Sequence, residues 1–337
     1  MNLETVERLL SITTPFYKKV NFLWHGGEPL LMGLDFYKEV LQRQKKANCN
    51  IKNSMQSNLT LMTPEFAVFL KENDFGISSS YDGVCNQLLR GYDEAILQGR
   101  QMVIQQDRNC GLIMVASQKN IHSLIDSYIF FNDKCINYSL NLYLDLKGWE
   151  NPSLKLDETV SIEQINKLFT YWVHDKNGKI VISYFKHILE FILFKKKSLC
   201  TYTSCLGRWI GIRPNGEIVP CNRYFPINYS FGNVFNYSNI GEAFESEGFI
   251  TILNEAIARR EKCKLCDIYD FCNGGCNNDA LNEKGIENNG GLKCKVLISV
   301  YRHIKDFVDF ITSSQIEFGN YNPKFEEMLR KSLAKSS

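Results

Sequence analysis

The chain has 337 residues, 44% of them hydrophobic and 23% charged, and a formal net charge of +2. That length suits two domains or one large barrel with an appendage, and the near-neutral charge makes no case for a nucleic-acid or membrane surface. No apolar run approaches the roughly 20 residues of a spanning helix.

The N-terminal stretch MNLETVERLL is charged and amphipathic, unlike a signal peptide, so twelve cysteines point to a reducing, cytoplasmic setting. Glu4 to Ile12 carries Val6, Leu9 and Leu10 at helical spacing. The run from Val20 to Trp24 reads as a buried strand and ends at His25-Gly26-Gly27-Glu28-Pro29. A helix follows over Asp35 to Gln44, then a strand over Ile51 to Ser57. Thr63-Pro64-Glu65 predicts a helix start, with a capping hydroxyl, a proline at the first position and an acid in the first turn.

Gly76 to Tyr81 reads as a strand closing at Asp82-Gly83, Ala95 to Gln106 as a helix, and Leu112 to Ala116 and Ser139 to Leu144 as strands. Strands alternating with helices at this spacing predict a parallel α/β sheet or barrel. Ligands in such folds sit at the C-terminal strand ends, where the polar and Gly-rich residues fall here. Ser161 to Gln164 reads as a capping box before a helix whose face is Ile165, Leu168, Phe169 and Trp172. Tyr184 to Phe194 is a second apolar helix, ending at Lys195-Lys196-Lys197, a solvated end suited to the helix dipole. Val296 to Ile311 and Lys324 to Ala334 read as further helices.

Eight of the twelve cysteines lie between Cys200 and Cys294. The densest part is Cys263-x2-Cys266-x5-Cys272-x3-Cys276, with small Gly and Asn residues that let the backbone bend around a bulky core. Three chemistries compete. Disulfides need an oxidising compartment, to which nothing here points. Structural zinc suits CxxC pairs, but the x5 and x3 spacings are not paired zinc knuckles. Eight thiolates also make two sets of four, enough for two iron–sulfur clusters. The scattered Cys49, Cys85, Cys110 and Cys135 read as core thiols.

The cysteine pattern resembles the SPASM domain of radical SAM enzymes that modify peptides and proteins. That pattern is a Cys, then Gly-x4-Cys, then Cys-x2-Cys-x5-Cys-x3-Cys, then a last Cys. Cys205, the run from Gly216 to Cys221, the four-cysteine run and Cys294 match it, with Cys200 as an eighth ligand as in anaerobic sulfatase-maturating enzymes. The resemblance implies one auxiliary [4Fe–4S] cluster on Cys200, Cys205, Cys221 and Cys276. It implies a second on Cys263, Cys266, Cys272 and Cys294.

The stretch from Phe22 to Leu30 resembles the second-strand motif of the same enzymes, whose GGEP turn contacts the amino group of S-adenosylmethionine (SAM). Here that assigns Gly26, Gly27 and Glu28, with His25 as a turn hydrogen bonder. Gln56-Ser57-Asn58 and Ser80-Tyr81-Asp82-Gly83 resemble two further motifs. They imply that Gln56, Ser80 and Arg90 line the SAM or substrate pocket, although Leu59 stands where relatives have Gly.

The fold so implied is an incomplete (β/α)6 partial barrel over residues 1–195, a SPASM domain over 196–300 and C-terminal helices over 301–337. The implied partners are a peptide or protein substrate and a reductant such as flavodoxin or ferredoxin.

Two departures shape the functional expectation. The family's Cys-x3-Cys-x2-Cys, which holds the SAM-cleaving cluster, is absent from this sequence, so a third cluster and full activity are not expected of this chain. The sequence therefore reads as N-terminally truncated. Asn222 follows Cys221 where sulfatase-maturating relatives place an Asp that takes the substrate proton, and an amide is no such base. A ribosomal-peptide maturase forming a carbon–carbon or thioether link fits better. A non-catalytic iron–sulfur module, binding a peptide or passing electrons, is the alternative, and a zinc-stabilised binding protein a third. No catalytic side chain stands out.

Overall fold

The structure, a computed structural model, describes residues 1–223, 225–314 and 316–336, with side chains up to residue 334 in the last stretch. In chain order the elements are α1 (Leu3–Thr13), β1 (Lys19–Trp24), α2 (Gly33–Gln44), β2 (Asn50–Gln56), α3 (Pro64–Glu72), β3 (Gly76–Ser80), α4 (Asn86–Leu89) and α5 (Asp93–Ile104). There follow β4 (Cys110–Ala116), α6 (Leu124–Asp133), β5 (Tyr138–Leu142), α7 (Glu158–His174), α8 (Ser183–Phe194), β6 (Gly211–Ile212) and β7 (Ile218–Val219). The last helices are α9 (Glu247–Cys263), α10 (Tyr269–Cys272), α11 (Asn277–Glu283), α12 (Leu292–Ser313) and α13 (Pro323–Ser336).

Strands β1 to β5 form one sheet in chain order. β1 pairs β2, β2 pairs β3 and β4 pairs β5, all parallel. This is the expected α/β partial barrel. A sixth strand shrinks to a single parallel bridge between Tyr138 and Ile182.

By packing, the chain falls into two compact units built from separated segments. The first holds Met1–Ser80, Tyr92–Cys110 and Cys205–Ile257. Its core gathers Tyr37, Met55, Leu59, Phe66, Leu70 and Phe75 between α2, α3 and the sheet. Thr63 caps α3 as expected, its hydroxyl accepting from the Phe66 amide. Trp24 donates its indole N–H to Asn53 Oδ1 at 3.0 Å, so a polar atom inside the strand layer is satisfied.

The second unit holds Tyr81–Gly91, Gly111–Ser204 and Ala258–Ser337. Here α7 buries Ile165, Leu168, Phe169 and Trp172, the expected face, and Phe169 meets Phe307 of α12 edge-on at 5.7 Å. The expected capping box at Ser161 is wrong. The helix begins four residues earlier, because Asp157 Oδ1 accepts the Val160 amide at 2.9 Å and so takes the cap. Ser161 lies inside the helix, and its hydroxyl back-bonds to the Asp157 carbonyl.

Of the scattered cysteines, only Cys110 is a buried core thiol, its pKa pushed up to about 11 by burial. Cys49 and Cys85 are half-buried and Cys135 is exposed, which corrects the core assignment for these three. At the end of α8 the lysines do more than meet solvent. Lys195 and Lys197 lie over the Phe191 ring at 5.0 and 5.5 Å, and Lys196 sits 3.5 Å from Glu190.

Candidate functional site: strand ends and a cysteine-lined cavity

In the first unit, three parallel strands bring Gly26, Gly27, Glu28, Gln56 and Ser80 to their C-terminal ends. Gly26 and Gly27 both have positive φ, and the space beside each Cα is open. His25 Nδ1 accepts the Gly26 amide at 2.6 Å, the turn role expected of it.

The Glu28 carboxylate is fully engaged inside the chain. Oε1 accepts from Ser57 Oγ at 2.6 Å and from the Leu30 amide at 3.0 Å, and Oε2 accepts the Asn58 amide at 2.9 Å. It ties the turn after β1 to the turn after β2. Gln56 bridges Ser78 and Ser80 on the neighbouring strand: it accepts from Ser78 Oγ and donates to Ser80 Oγ at 3.2 Å. Ser78 was missed from the sequence, and Ser57 stood in the Gln56-Ser57-Asn58 motif without a role of its own. Strand alternation could have flagged Ser78, two residues before Ser80 on the same face.

Leu59 has φ +62 and is 1% exposed. The position takes the left-handed conformation that suits glycine, and Leu adopts it here because its side chain is anchored in the core.

Arg90 lies in the second unit and is also engaged. Its Nε donates to Asp82 Oδ2 at 2.7 Å and Nη2 to Asp82 Oδ1 at 3.3 Å. Buried Asp82 also accepts the Val115 amide at 2.8 Å, so the pair locks the loop after β3 onto β4.

The larger feature of the second unit is a cavity of about 300 Å³ lined by Cys263, Cys266, Cys272, Cys276 and Cys294. Cys263 is the last residue of α9, and Cys266 follows one turn later, its amide donating to the Cys263 carbonyl at 2.9 Å. Cys272 ends α10. Asn273, Gly274 and Gly275 then take three successive positive φ values and turn the chain to Cys276. At Gly275 the φ of +74 would strain any side chain, while an added Cβ would make only an ordinary 3.8 Å contact with Cys272 Sγ. Cys294 sits in the first turn of α12. Asn289 Nδ2 donates to Cys263 Sγ at 3.3 Å.

Burial and the neighbouring thiols, led by Cys294, push Cys272 up to about 12. Cys294 rises for the same reasons. Several thiolates can coexist around this space only with a cationic core among them. Among the described residues no three His, Cys, Asp or Glu are close enough together to hold a single metal ion. Thiols spread around a void of this size suit a multi-iron core, so the donor set fits an iron–sulfur cluster.

Cys205 and Cys221 belong to the first unit, Cys200 and Cys276 to the second. The spacing of Gly216 to Cys221 has a local cause. Gly216, at φ +85, turns the β6–β7 hairpin, and an added Cβ would lie 2.8 Å from Asn233 Oδ1. The returning strand β7 then delivers Cys221.

Residues 200–267 match the SPASM family, described as an iron–sulfur cluster-binding domain. The chain is similar to radical SAM/SPASM maturases. Five of the eight clustered cysteines fall inside the matched residues, and Cys272, Cys276 and Cys294 lie beyond them.

Two curated relatives extend the likeness. A cysteine-type anaerobic sulfatase-maturating enzyme of Clostridium perfringens is 27% identical over 274 residues, 76% of this chain and 73% of the relative. A serine-type anaerobic sulfatase-maturating enzyme of Bacteroides thetaiotaomicron is 25% identical over 92% of this chain and 82% of the relative. The solved structure of native anSMEcpe with bound AdoMet and Kp18Cys peptide superposes with a TM-score of 0.79 at 24% identity, over 93% of this chain and 90% of that one. That likeness shows a shared fold. Among the described residues no helix is long and apolar enough to cross a membrane.

Proposed function

We propose that this chain is the cluster-bearing body of a radical SAM/SPASM peptide maturase. The observation that carries the proposal is the cavity ringed by cysteines in and beside the SPASM-matching stretch. Cys263, Cys266, Cys272 and Cys294 would hold one auxiliary [4Fe–4S] cluster. Cys200, Cys205, Cys221 and Cys276 would hold the other. Such centres supply one-electron chemistry to an oxidation that begins with hydrogen abstraction from a peptide side chain.

SAM would meet the turn of Gly26 and Gly27 through backbone groups, with Gln56 and Ser80 nearby on the same strand ends. Glu28 and Arg90 would shape the surroundings, since their charges already have partners inside the chain. The substrate class is a peptide, by analogy with the peptide-bound relative. The product is not formylglycine, because exposed Asn222 offers an amide where a proton acceptor is needed. A reductant such as flavodoxin or ferredoxin would supply electrons. The linear division at 195 and 300 is proposed as the functional one, with the SPASM module between those bounds.

A second reading has its own support. The sequence contains no Cys-x3-Cys-x2-Cys, and both charged candidates for SAM contact are consumed internally. On that reading the chain is a non-catalytic iron–sulfur module. One experiment separates the two. Anaerobically reconstituted protein is assayed for iron and sulfide, then given SAM, dithionite and a sulfatase-type peptide. Both readings expect iron and no aldehyde on the peptide. Neither reading expects 5′-deoxyadenosine from a chain without the three-cysteine motif; SAM binding that the peptide strengthens supports the first reading, and no SAM binding supports the second. A colourless protein holding stoichiometric zinc would sink both.

A further inference from the structure

Helix α9 places Arg259 against the wall of the cysteine cavity. The side chain is 1% exposed, which is rare for arginine without a charged partner. Its Nε donates to the Gly274 carbonyl at 2.8 Å. Nη1 donates to the Ile286 carbonyl, and Nη2 to Asn277 Oδ1 at 2.5 Å and the Gly275 carbonyl at 3.4 Å. Among the described residues these acceptors are all neutral, so the fork is satisfied but the charge is not.

An isolated buried cation is costly, and a nearby anion would offset that cost. The ionisable groups that would offset it are the thiols of Cys276, Cys263 and Cys272, which are anionic once they hold a cationic core. Next to it, Arg260 has a buried Nε with no hydrogen-bond partner among the described residues.

A [4Fe–4S] core on four thiolates carries net negative charge, and one more after reduction. A fixed cation beside it stabilises the reduced form more than the oxidised form. We propose that Arg259 is a positioning residue for the iron–sulfur centre in this cavity, whose fixed charge makes the centre easier to reduce. This rests on the reading that the cavity holds a cluster. The step concerned is transfer of one electron from a one-electron donor to the centre, with no bond made or broken and no proton moved.

The test is an EPR-monitored redox titration of the reconstituted full chain, with dithionite as reductant. Arg259→Met removes both charge and fork. Arg259→Lys keeps the charge and loses most of the fork. Asn277→Asp keeps the fork and sets a carboxylate against the guanidinium. The midpoint potential should shift to more negative values in Arg259→Met and Asn277→Asp and stay near the parent in Arg259→Lys. Equal shifts in the Lys and Met variants, or no shift in Asn277→Asp, would overturn the proposal. If Arg259→Met fails to fold or load iron, the other two variants decide. Loss of iron from all three variants alike would make the role purely structural and also overturn it. A parent protein that binds no iron would instead remove the cluster reading beneath it.

Discussion

Glu28 holds Ser57. The carboxylate accepts the Ser57 hydroxyl at 2.6 Å and the adjacent Asn58 amide at 2.9 Å, joining the turns after two neighbouring strands. A residue that its motif assigns to a ligand is, in the folded chain, the bracket that joins the turns after β1 and β2. Preorganising a site this way keeps the glycine backbone in place before anything binds.

Glu28→Ala should therefore destabilise the chain in the absence of SAM, by about 2 kcal/mol from the lost charge-assisted hydrogen bonds. Urea denaturation of the two proteins without ligand checks this. An unchanged midpoint would mean that the carboxylate is free for an ammonium group.

Leu59→Gly sets two effects against each other. Glycine relieves left-handed strain of about 1–2 kcal/mol, but truncating a buried leucine costs about 2–5 kcal/mol. Leu59 is packed among Met55, Met62 and Phe66, so burial should win and the variant should be less stable. A stabilised variant would show that strain dominates at this position.

Cys266→Ala and Cys276→Ala should each lower iron from about eight to about four atoms per chain, and the double variant should lose nearly all of it. Iron and sulfide analysis after anaerobic reconstitution gives the count. If the double variant keeps half the iron, both cysteines serve one cluster and the proposed pairing is wrong.

His187 supplies a pH effect. Burial lowers its pKa below the ordinary 6.5, and Glu190 at 3.5 Å offsets part of that fall. Its folded pKa is thus depressed relative to the unfolded chain. The stability it contributes is intact above 6.5 and is lost as pH falls through the folded value. His187→Gln should show a smaller loss of stability than the parent between about pH 7 and pH 5.5, followed by denaturation midpoints. An equal loss in both proteins would assign that acid sensitivity elsewhere.

Much of the barrel was legible because its signals are local. β1, β2, β4 and the helices around them follow apolar periodicity and caps, so five parallel strands could be placed from residues alone. The start of α7 was misplaced because two caps competed. Asp157 accepts the helix amide better than Ser161, and a pattern match does not rank them. The cysteine spacing was legible for a related reason: a multi-iron core demands a fixed number of thiolates, and the loops between them leave a recognisable register.

What the sequence determined, then, was the alternation of elements, the eight thiols and the glycines that let the chain turn at Gly216 and Gly275. Tertiary structure alone decided where charge goes. Glu28 and Arg90 find internal partners, Arg259 is buried beside thiols on neutral acceptors, and Leu59 takes a left-handed conformation because the core holds its side chain. Each of these depends on which distant segment comes within a few ångströms. Electrostatic and packing energies act at that range in space, and sequence spacing does not record it.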